Sequence, residues 1–394
     1  MNDLSRLLDA LSEAQVDGQD AVIATVVKVE GSAYRRPGAR MVIPQLGSAT
    51  GTVSGGCLES DVSKKAWWLT ATGKPVIRTY STGEDDDELE DAELSFGLGC
   101  NGTVHILFER TSEQAPSLAV SVLQQVQTTS RHAALATVIF SDNEQHTAVG
   151  ERAAIRADGA VEVQLGDRAL GQQIAGDLHE VLKAGKSAIR SYEASSGAVQ
   201  VLLEYIPAPR RLVIFGAGHD AVPLVSMARL QGWHTTVIDA RTHFARPERF
   251  ADADHVAALP LQPFAGLRAL VEDAAVVVMT HSFSQDRHWL GKVLALKPRY
   301  IGQLGPRSRT ERLLDEMTDN PRQSPAFAAL HYPVGLDLGG DTPQSVALSI
   351  LAEINAVLNQ RQGGMLKHRE ASIHAADVII QVEQQPVGAA AGCE

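Results

Sequence analysis

Cysteine, aromatic residues and positive charge are all scarce in this sequence, and each scarcity excludes a class of protein. The three cysteines among 394 residues are too few for the disulfide framework of a small secreted domain. Lys and Arg number 35 against 47 Asp and Glu, which gives a formal net charge of −12. A general nucleic-acid binder would instead carry an excess of positive charge. We therefore expect no nucleic-acid partner.

Long apolar segments are also missing. No run approaches the roughly 20 residues that a membrane-spanning helix needs, and residues 1–19 lack the charged start and apolar stretch of a signal peptide. We expect a reduced, cytoplasmic protein that has no membrane partner. The content of 44% hydrophobic and 21% charged residues is typical of a globular protein, and the length favours two domains.

The segment Pro207-Ala208-Pro209 is the clearest domain boundary, because prolines stiffen the backbone and remove hydrogen-bond donors. Before it, strand-like runs mix with helical patterns; after it, strands and helices alternate regularly. The pattern predicts an α/β protein. Residues 1–206 would form a separate mixed α+β domain, residues 207–362 a Rossmann-like parallel sheet with helices on both faces, and residues 363–394 a polar tail.

A nucleotide-binding motif opens the second domain. The apolar strand 211–215 leads into the turn Gly216-Ala217-Gly218-His219-Asp220-Ala221, and a helix follows. The first glycine permits a tight turn, and the second lets a pyrophosphate approach the helix N-terminus. The next strand ends on Asp239, the position from which an acid holds a ribose hydroxyl. An empty or degenerate Rossmann site is the alternative.

Two histidines lie near the same predicted edge of the sheet. His219 is in the glycine turn, and His281 follows the strand 275–279. Ligands of open α/β sheets bind outside the carboxyl ends of the strands, so we include both histidines among the candidate contacts. Purely structural roles for them are the alternative. Farther along, Thr342 and Pro343 predict the N-cap and first residue of a helix that reaches about Leu358.

The first domain contains a basic, glycine-rich loop. Arg35, Arg36 and Arg40 lie between glycines and next to Tyr34, which in an acidic protein favours an anion-binding loop. An ordinary surface loop is the alternative.

A glycine turn with a cysteine follows this loop. Ser54, Gly55, Gly56 and Cys57 precede a predicted helix, where free backbone amides attract anions and favour a thiolate. A small buried thiol beside a tight turn is the other interpretation. Cys100 is a second cysteine bracketed by glycines, and Cys393 is near the end of the chain. Two cysteines without spaced His or Cys partners do not predict a structural zinc site.

Taken together, the motifs of both domains resemble the XdhC/CoxI family, the accessory factors of xanthine dehydrogenase and related molybdoenzymes. The resemblance is carried by GSAYRRPGARM, GTVSGGCLESDV and GLGCNGTVHILFE, and by RRLVIFGAGHDA, TVIDARTHFARPERF, YIGQLGPRSR and VGLDLGGDTPQSVALSILAEINA. Three features depart from the family pattern: Asn101 in place of glycine, an acidic insert at residues 84–91, and the tail after Gly363.

The resemblance implies a chaperone rather than a catalyst, so no catalytic residue is assigned. It would bind molybdenum cofactor, protect it, assist its sulfuration and insert it into an apo-enzyme of the xanthine dehydrogenase or aldehyde oxidase type. A cysteine desulfurase and a second copy of the chain are further implied partners. In this interpretation the arginine loop, the Ser54–Cys57 turn and Cys100 contact the cofactor, with the sulfur of Cys57 near the metal. Whether the cofactor carries cytidine stays open, as does a nucleotide in the Rossmann domain.

Two rival functions remain at this stage. An NAD(P)-dependent oxidoreductase would use the same glycine turn, but it needs an acid/base group, for which His281 is the one candidate that the sequence offers. A regulatory module that senses an anion without catalysis is the second rival.

Overall fold

The computed structural model describes residues 4–31, 33–81, 102–114, 116–194, 197–262, 265–318, 320–370 and 381–382. The chain divides into two compact units, which separate between Ala208 and Pro209. None of the helices within the described ranges is long and apolar enough to cross a membrane.

The first unit is built on two largely antiparallel sheets. Its helices are α1 (Leu4–Val16), α2 (Glu59–Leu69), α3 (Leu118–Thr129) and α4 (Arg168–Ala184). Its strands are β1 (Ala21–Gly31), β2 (Arg40–Pro44), β3 (Thr50–Gly51), β4 (Val76–Ser81), β5 (Gly102–Thr111), β6 (Ala133–Ser141), β7 (Arg152–Ile155), β8 (Val161–Gln164), β9 (Ala188–Ala194) and β10 (Gly197–Ile206), and β17 (Gln381–Val382) pairs in parallel with β9. The strand orders are β3-β2-β1-β5-β4 in one sheet and β17-β9-β10-β6-β7-β8 in the other.

Side-chain alternation along the strands packs the two sheets against each other. On β5, Ile106 and Phe108 face the core that includes Val62 of α2, whereas Leu107 packs with Leu202 of β10. This two-residue period is that of strands buried on both faces. Each fully buried side chain of this kind contributes roughly 1.5–3 kcal/mol to the stability of the sandwich.

Two buried ion pairs also join these sheets. Arg40 of β2 donates to both carboxylate oxygens of Glu204 on β10, at 2.8 Å for the Nη1–Oε1 bond, and Arg152 of β7 pairs with Glu109 of β5. All four side chains are at most 9% exposed. Arg40 was expected to hold an anionic ligand. Its guanidinium is instead inside the unit, because a buried carboxylate needs a cationic partner.

The second unit is built on a sheet in which every pairing is parallel. Its strands are β11 (Arg211–Phe215), β12 (His234–Asp239), β13 (His255–Ala258), β14 (Ala275–Val278), β15 (Tyr300–Gln303) and β16 (Leu330–His331). Its helices are α5 (Ala221–Leu230), α6 (Leu267–Val271), α7 (Phe283–Leu294), α8 (Arg307–Asp315) and α9 (Pro343–Leu358). The strand order is β13-β12-β11-β14-β15-β16, which is that of a doubly wound Rossmann sheet, and β11 and β14 flank its switch point.

Helices cover both faces of this sheet. Leu212 and Ile214 of β11 pack in the core that α5 and α9 complete, and Val213 and Phe215 pack in the core on the α7 and α8 face. The predicted fold class is therefore confirmed, with the parallel sheet in the second unit and a mixed α+β first unit. Helix α9 begins as predicted, since Thr342 Oγ1 accepts a hydrogen bond from the Ser345 amide at 3.1 Å.

The Arg40–Glu204 pair generates the first testable prediction. Arg40→Gln leaves the Glu204 carboxylate buried without a cation, and we expect the free energy of unfolding to fall by about 3–5 kcal/mol in urea denaturation. The exposed Arg36→Gln is the control and should change it by less than about 0.5 kcal/mol. A double change, Arg40→Met with Glu204→Leu, should recover most of the loss. Wild-type stability in Arg40→Gln would contradict the structural role.

Candidate functional site

The loop between β1 and β2 is tied to the glycine turn that precedes α2. Arg35 Nε donates to Thr52 Oγ1 at 2.8 Å, and the Thr52 hydroxyl donates to the Ser54 carbonyl at 2.9 Å. A Cβ added to Gly55 would lie 3.5 Å from the ring of Tyr34, which is 74% exposed. The structure thus brings the arginine loop and the Ser54–Cys57 turn together on one surface of the first unit.

A carboxylate organises the turn from within. Glu59 Oε1 accepts from the amides of Val53 and Ser54 at 3.1 and 2.9 Å, and Oε2 accepts from the Ser54 hydroxyl at 2.6 Å. Ser54 Oγ in turn accepts from the amides of Gly56 and Leu58, both at 3.1 Å. These bonds correct the expectation of a turn whose amides are all free. Among the described residues, the amides of Gly55 and Cys57 keep no partner.

Charge on Glu59 stabilises this arrangement. Burial by itself would raise the pKa of Glu59, but the bonds from the Ser54 hydroxyl and the nearby amides lower it below the ordinary value. The carboxylate is therefore ionised at neutral pH, and it stabilises the turn in that form.

Cys57 is half-buried at the edge of the turn, with Sγ 3.4 Å from Ser54 Oγ. It lies two residues before the first residue of α2, so its thiol is near the N-terminus of the helix, as the sequence indicates. Cys100 lies outside the described residues. No group of three or more His, Cys, Asp or Glu side chains within the described ranges is arranged to hold a metal ion.

The second cluster of candidate residues lies at the carboxyl ends of β11, β12 and β14. Gly216 has φ +126°, and a Cβ there would lie 2.4 Å from the Met279 carbonyl oxygen. Glycine is therefore required by both the backbone conformation and the close approach of β14. This tight turn positions the Ala217 amide to donate to Asp239 Oδ2 at 2.9 Å.

Asp239 is enclosed rather than open to a ligand. Its side chain is 0% exposed, and Oδ1 accepts from the Arg241 amide at 2.9 Å and from Arg241 Nε at 2.8 Å. Oδ2 accepts from Arg241 Nη2 at 2.8 Å in addition to the Ala217 amide. This corrects the expectation that the carboxylate accepts from a ribose, because all its strong acceptor positions are occupied.

The charge state of Asp239 agrees with this enclosure. Burial would raise the pKa of the carboxyl, but the hydrogen bonds from Arg241 and the Ala217 amide lower it. The same bonds raise the pKa of Arg241, so the ion pair is present throughout the neutral range.

His281 and Asp220 form a hydrogen-bonded pair beside the glycine turn. His281 Nε2 and Asp220 Oδ2 are 2.7 Å apart, and His281 adopts φ +58°, a conformation rare for a residue other than glycine. A Cβ on Gly218 would lie 2.5 Å from Asp220 Oδ1 and 3.6 Å from Cδ2 of His281. His281 therefore lies beside the turn of Gly216 and Gly218 at one edge of the sheet. His219 is in the same turn.

Sequence reasoning missed several residues of both clusters. In the first, these are Thr52 and Glu59; in the second, they are Asp220 and Arg241. The signals were present, since Glu59 lies five residues after Ser54 and Arg241 two after Asp239. Their partners were not evident, because the direction in which a side chain points depends on the folded loop.

The half-buried, hydrogen-bonded carboxylate of Glu59 predicts a pH-dependent stability. Its folded-state pKa is below the unfolded value, so the stabilisation is complete at neutral pH and is lost as the pH falls through the folded pKa. Glu59→Gln should lower the free energy of unfolding at about pH 7 and reduce its decrease between about pH 7 and about pH 3. Urea denaturation at both pH values measures this. The exposed Glu13→Gln should match wild type, and an unchanged acid dependence in Glu59→Gln would contradict the assignment.

Both units match known protein families. Residues 14–81 match the XdhC and CoxI family, and residues 212–354 match the XdhC Rossmann domain. The two matched ranges contain the Arg35 loop and the Ser54 turn in the first unit, and Gly216, Asp239 and His281 in the second.

Relatives resemble nearly the whole chain. A probable xanthine dehydrogenase subunit from Bacillus subtilis is 30% identical over 355 residues, which cover 90% of this chain and 97% of that protein. The molybdenum cofactor insertion chaperone PaoD of Escherichia coli is 24% identical over 358 residues, 90% and 89% of the two chains. A crystal structure described as a xanthine dehydrogenase from Bacillus halodurans is 27% identical with a TM-score of 0.69, covering 91% of this chain and 98% of that one. The chain therefore belongs to the XdhC and CoxI family.

Proposed function

We propose that this protein binds molybdenum cofactor on its first unit, protects it, presents it for sulfuration and inserts it into a molybdoenzyme of the xanthine dehydrogenase type. The observation that carries the proposal is the Arg35–Thr52–Ser54 connection, which holds a cation, two backbone amides and a thiol on one surface. The names of the relatives, a xanthine dehydrogenase subunit and a cofactor insertion chaperone, support the same cargo and client.

The chemistry of the cargo matches these groups one by one. Molybdopterin carries a phosphate, a hydrogen-bonding pterin and a soft metal held by a dithiolene. Arg35 and Arg36 supply charged donors for the phosphate. The amides of Gly55 and Cys57 donate to further oxygens, and the thiol of Cys57 is a soft ligand suited to the metal. Arg40 has no part in this set because Glu204 holds it.

The glycines keep the surface open to a flat ligand. Gly55 and Gly56 are both exposed, and the ring of Tyr34 lies over Gly55 with most of its area in solvent. An exposed tyrosine next to a glycine offers an aromatic face on which a pterin ring can stack. Transfer of the terminal sulfur is assigned to a cysteine desulfurase partner, so the chain's own residues hold the cargo and carry out no bond-breaking step.

Analysis of small molecules bound to the native protein tests the proposal directly. We expect denaturation to release molybdenum and a fluorescent pterin, and the mass of the pterin compound to show whether it carries cytidine. A protein that is isolated with its client co-expressed but retains neither molybdenum nor pterin, and takes up neither in vitro, would overturn the proposal.

Arginine substitutions separate cargo binding from stability. Replacing both Arg35 and Arg36 with glutamine removes two charge-assisted hydrogen bonds worth roughly 1.5–3 kcal/mol each. We therefore expect the affinity for the cofactor to fall by more than about a hundredfold, with a small change in melting temperature. Arg131→Gln, at an exposed position of the same unit, is the control. Unchanged affinity in the double variant would make the loop an ordinary surface feature.

Cys57→Ser tests the thiol. The substitution keeps the size and the polar contact with Ser54 but removes a soft sulfur, so the fold should persist and delivery of active cofactor to the apo-enzyme should decrease. In wild type, iodoacetamide should modify Cys57 faster than Cys100, and bound cofactor should protect Cys57. Cys393→Ser is the matched control and should deliver cofactor normally. Full delivery by Cys57→Ser would exclude the thiol from the mechanism.

A further inference from the structure

The Rossmann edge of the second unit differs from a site that binds an unphosphorylated ribose, because its acid is enclosed. In such a site, an acid at the end of the second strand accepts hydrogen bonds from the ribose hydroxyls. Here that acid is Asp239, and its carboxylate is 0% exposed and surrounded by four donors. A ribose hydroxyl would have to displace an internal ion pair before it reached an acceptor.

Arg241 presents positive charge at the same corner. Its side chain is 31% exposed, and besides Asp239 it donates from Nη2 to the Thr280 carbonyl at 3.2 Å. The guanidinium is therefore fixed between the ends of β12 and β14, the two neighbours of β11. Its remaining nitrogen, Nη1, has no hydrogen bond to the described residues. A rigid, partly exposed guanidinium in which one nitrogen has no hydrogen bond to the described residues is suited to binding an oxyanion.

A second arginine reinforces this charge. Arg249 Nη1 donates to the carbonyls of Ala217 and Phe244, both at 2.9 Å, which places it against the glycine turn. Its Nη2 is buried and has no partner among the described residues. The carbons Cζ of Arg241 and Arg249 lie 4.1 and 5.4 Å from the centre of the Phe244 ring. Both guanidinium groups therefore lie against the Phe244 ring, and an anion bound beside either of them would be attracted by its positive charge.

We propose that the second unit binds a nucleotide whose adenosine ribose carries a 2′-phosphate, the NADP(H) class, in preference to the same nucleotide without that phosphate. The pyrophosphate lies at the Gly216–Gly218 turn and the N-terminus of α5, and the 2′-phosphate accepts from Arg241 at the end of β12. Phosphorylated ribose is favoured because the exposed group at this corner is a cation and the carboxylate is enclosed. Arginine at this corner is the general means by which Rossmann sites accommodate the 2′-phosphate.

This site is independent of the cofactor surface proposed for the first unit, because all its residues belong to the second unit. Binding of the nucleotide requires no electron transfer, and the proposal assigns none. Loss of nucleotide binding would leave the molybdenum cofactor proposal untouched, and the reverse also holds.

Calorimetric titration of the wild-type protein is the first test. NADP⁺ and 2′,5′-ADP should bind at least about tenfold more tightly than NAD⁺ and 5′-ADP, respectively, the ratio that about 1.4 kcal/mol of charge-assisted hydrogen bonding gives. Equal or tighter binding of NAD⁺ would overturn the proposal. Equal binding of CTP would also overturn it, since recognition would then rest on the phosphate chain alone. Failure of all five compounds to bind would leave the edge without a nucleotide site.

Arg241→Gln is the second test and should abolish the selectivity. It removes the cation and uncovers Asp239, so the preference for NADP⁺ over NAD⁺ should fall by about tenfold or more. Arg268→Gln, at an exposed position on α6, should keep the wild-type ratio. Melting temperatures show whether each variant is folded. If Arg241→Gln does not fold, Arg241→Lys replaces it. This variant keeps a cation but loses the two-nitrogen contact with Asp239, so its preference for NADP⁺ over NAD⁺ should be intermediate. A wild-type preference in a folded Arg241 variant contradicts the proposal.

Discussion

A buried carboxylate that must be neutralised inside the protein is the constraint on which both units depend. Leaving one partner of a buried pair uncompensated costs about 3–5 kcal/mol, comparable with much of the net stability of a domain. Each enclosed acid therefore has an arginine or a set of amides as its partner. Glu204 pairs with Arg40 and Asp239 pairs with Arg241, and the half-buried Glu59 accepts from the amides of its own turn. These pairings also decide which groups are left for ligands.

In the first unit, this constraint decides which arginine has a structural role and which arginines are proposed to bind a ligand. Arg35, Arg36 and Arg40 look equivalent in the sequence. Arg40, however, is the first residue of β2, and its side chain faces the second sheet, where Glu204 is buried. Arg35 and Arg36 stay in the loop, and Arg35 is held in place by Thr52. The pair that joins the sheets thus fixes the base of the loop.

In the second unit, the same constraint decides which charged group is exposed. An exposed Asp239 would make the ribose corner negative, whereas the enclosed pair makes Arg241 the exposed group. The parallel sheet supplies the geometry. Asp239 is the last residue of β12 and Thr280 follows β14, and these two strands lie on either side of β11. Arg241 contacts both residues. The recognition proposed for this edge therefore rests on the Asp239–Arg241 salt bridge as much as on the glycine turn.

The sequence by itself determined the Rossmann half in most of its detail. Strand β11, the glycine turn and α5 follow one another without interruption, and their signals are local: apolar runs, glycines that permit a positive φ, and a capped helix at Thr342. The sequence also located Ser54–Cys57 and the arginine loop, because the residues that form a turn can be recognised within a short stretch of sequence. These signals can be recognised in any fold, since they depend on backbone conformation and on the spacing of apolar residues along the sequence.

The tertiary structure alone decided which polar groups remain available. Arg40 and Glu204 are 164 residues apart, and no local pattern announces such a pairing. Asp239 and Arg241 are two residues apart, yet their bond depends on a loop that turns the guanidinium back over the strand end and on the Ala217 amide from another segment. Local sequence determines conformation, but the satisfaction of a buried charge depends on everything that surrounds it in three dimensions.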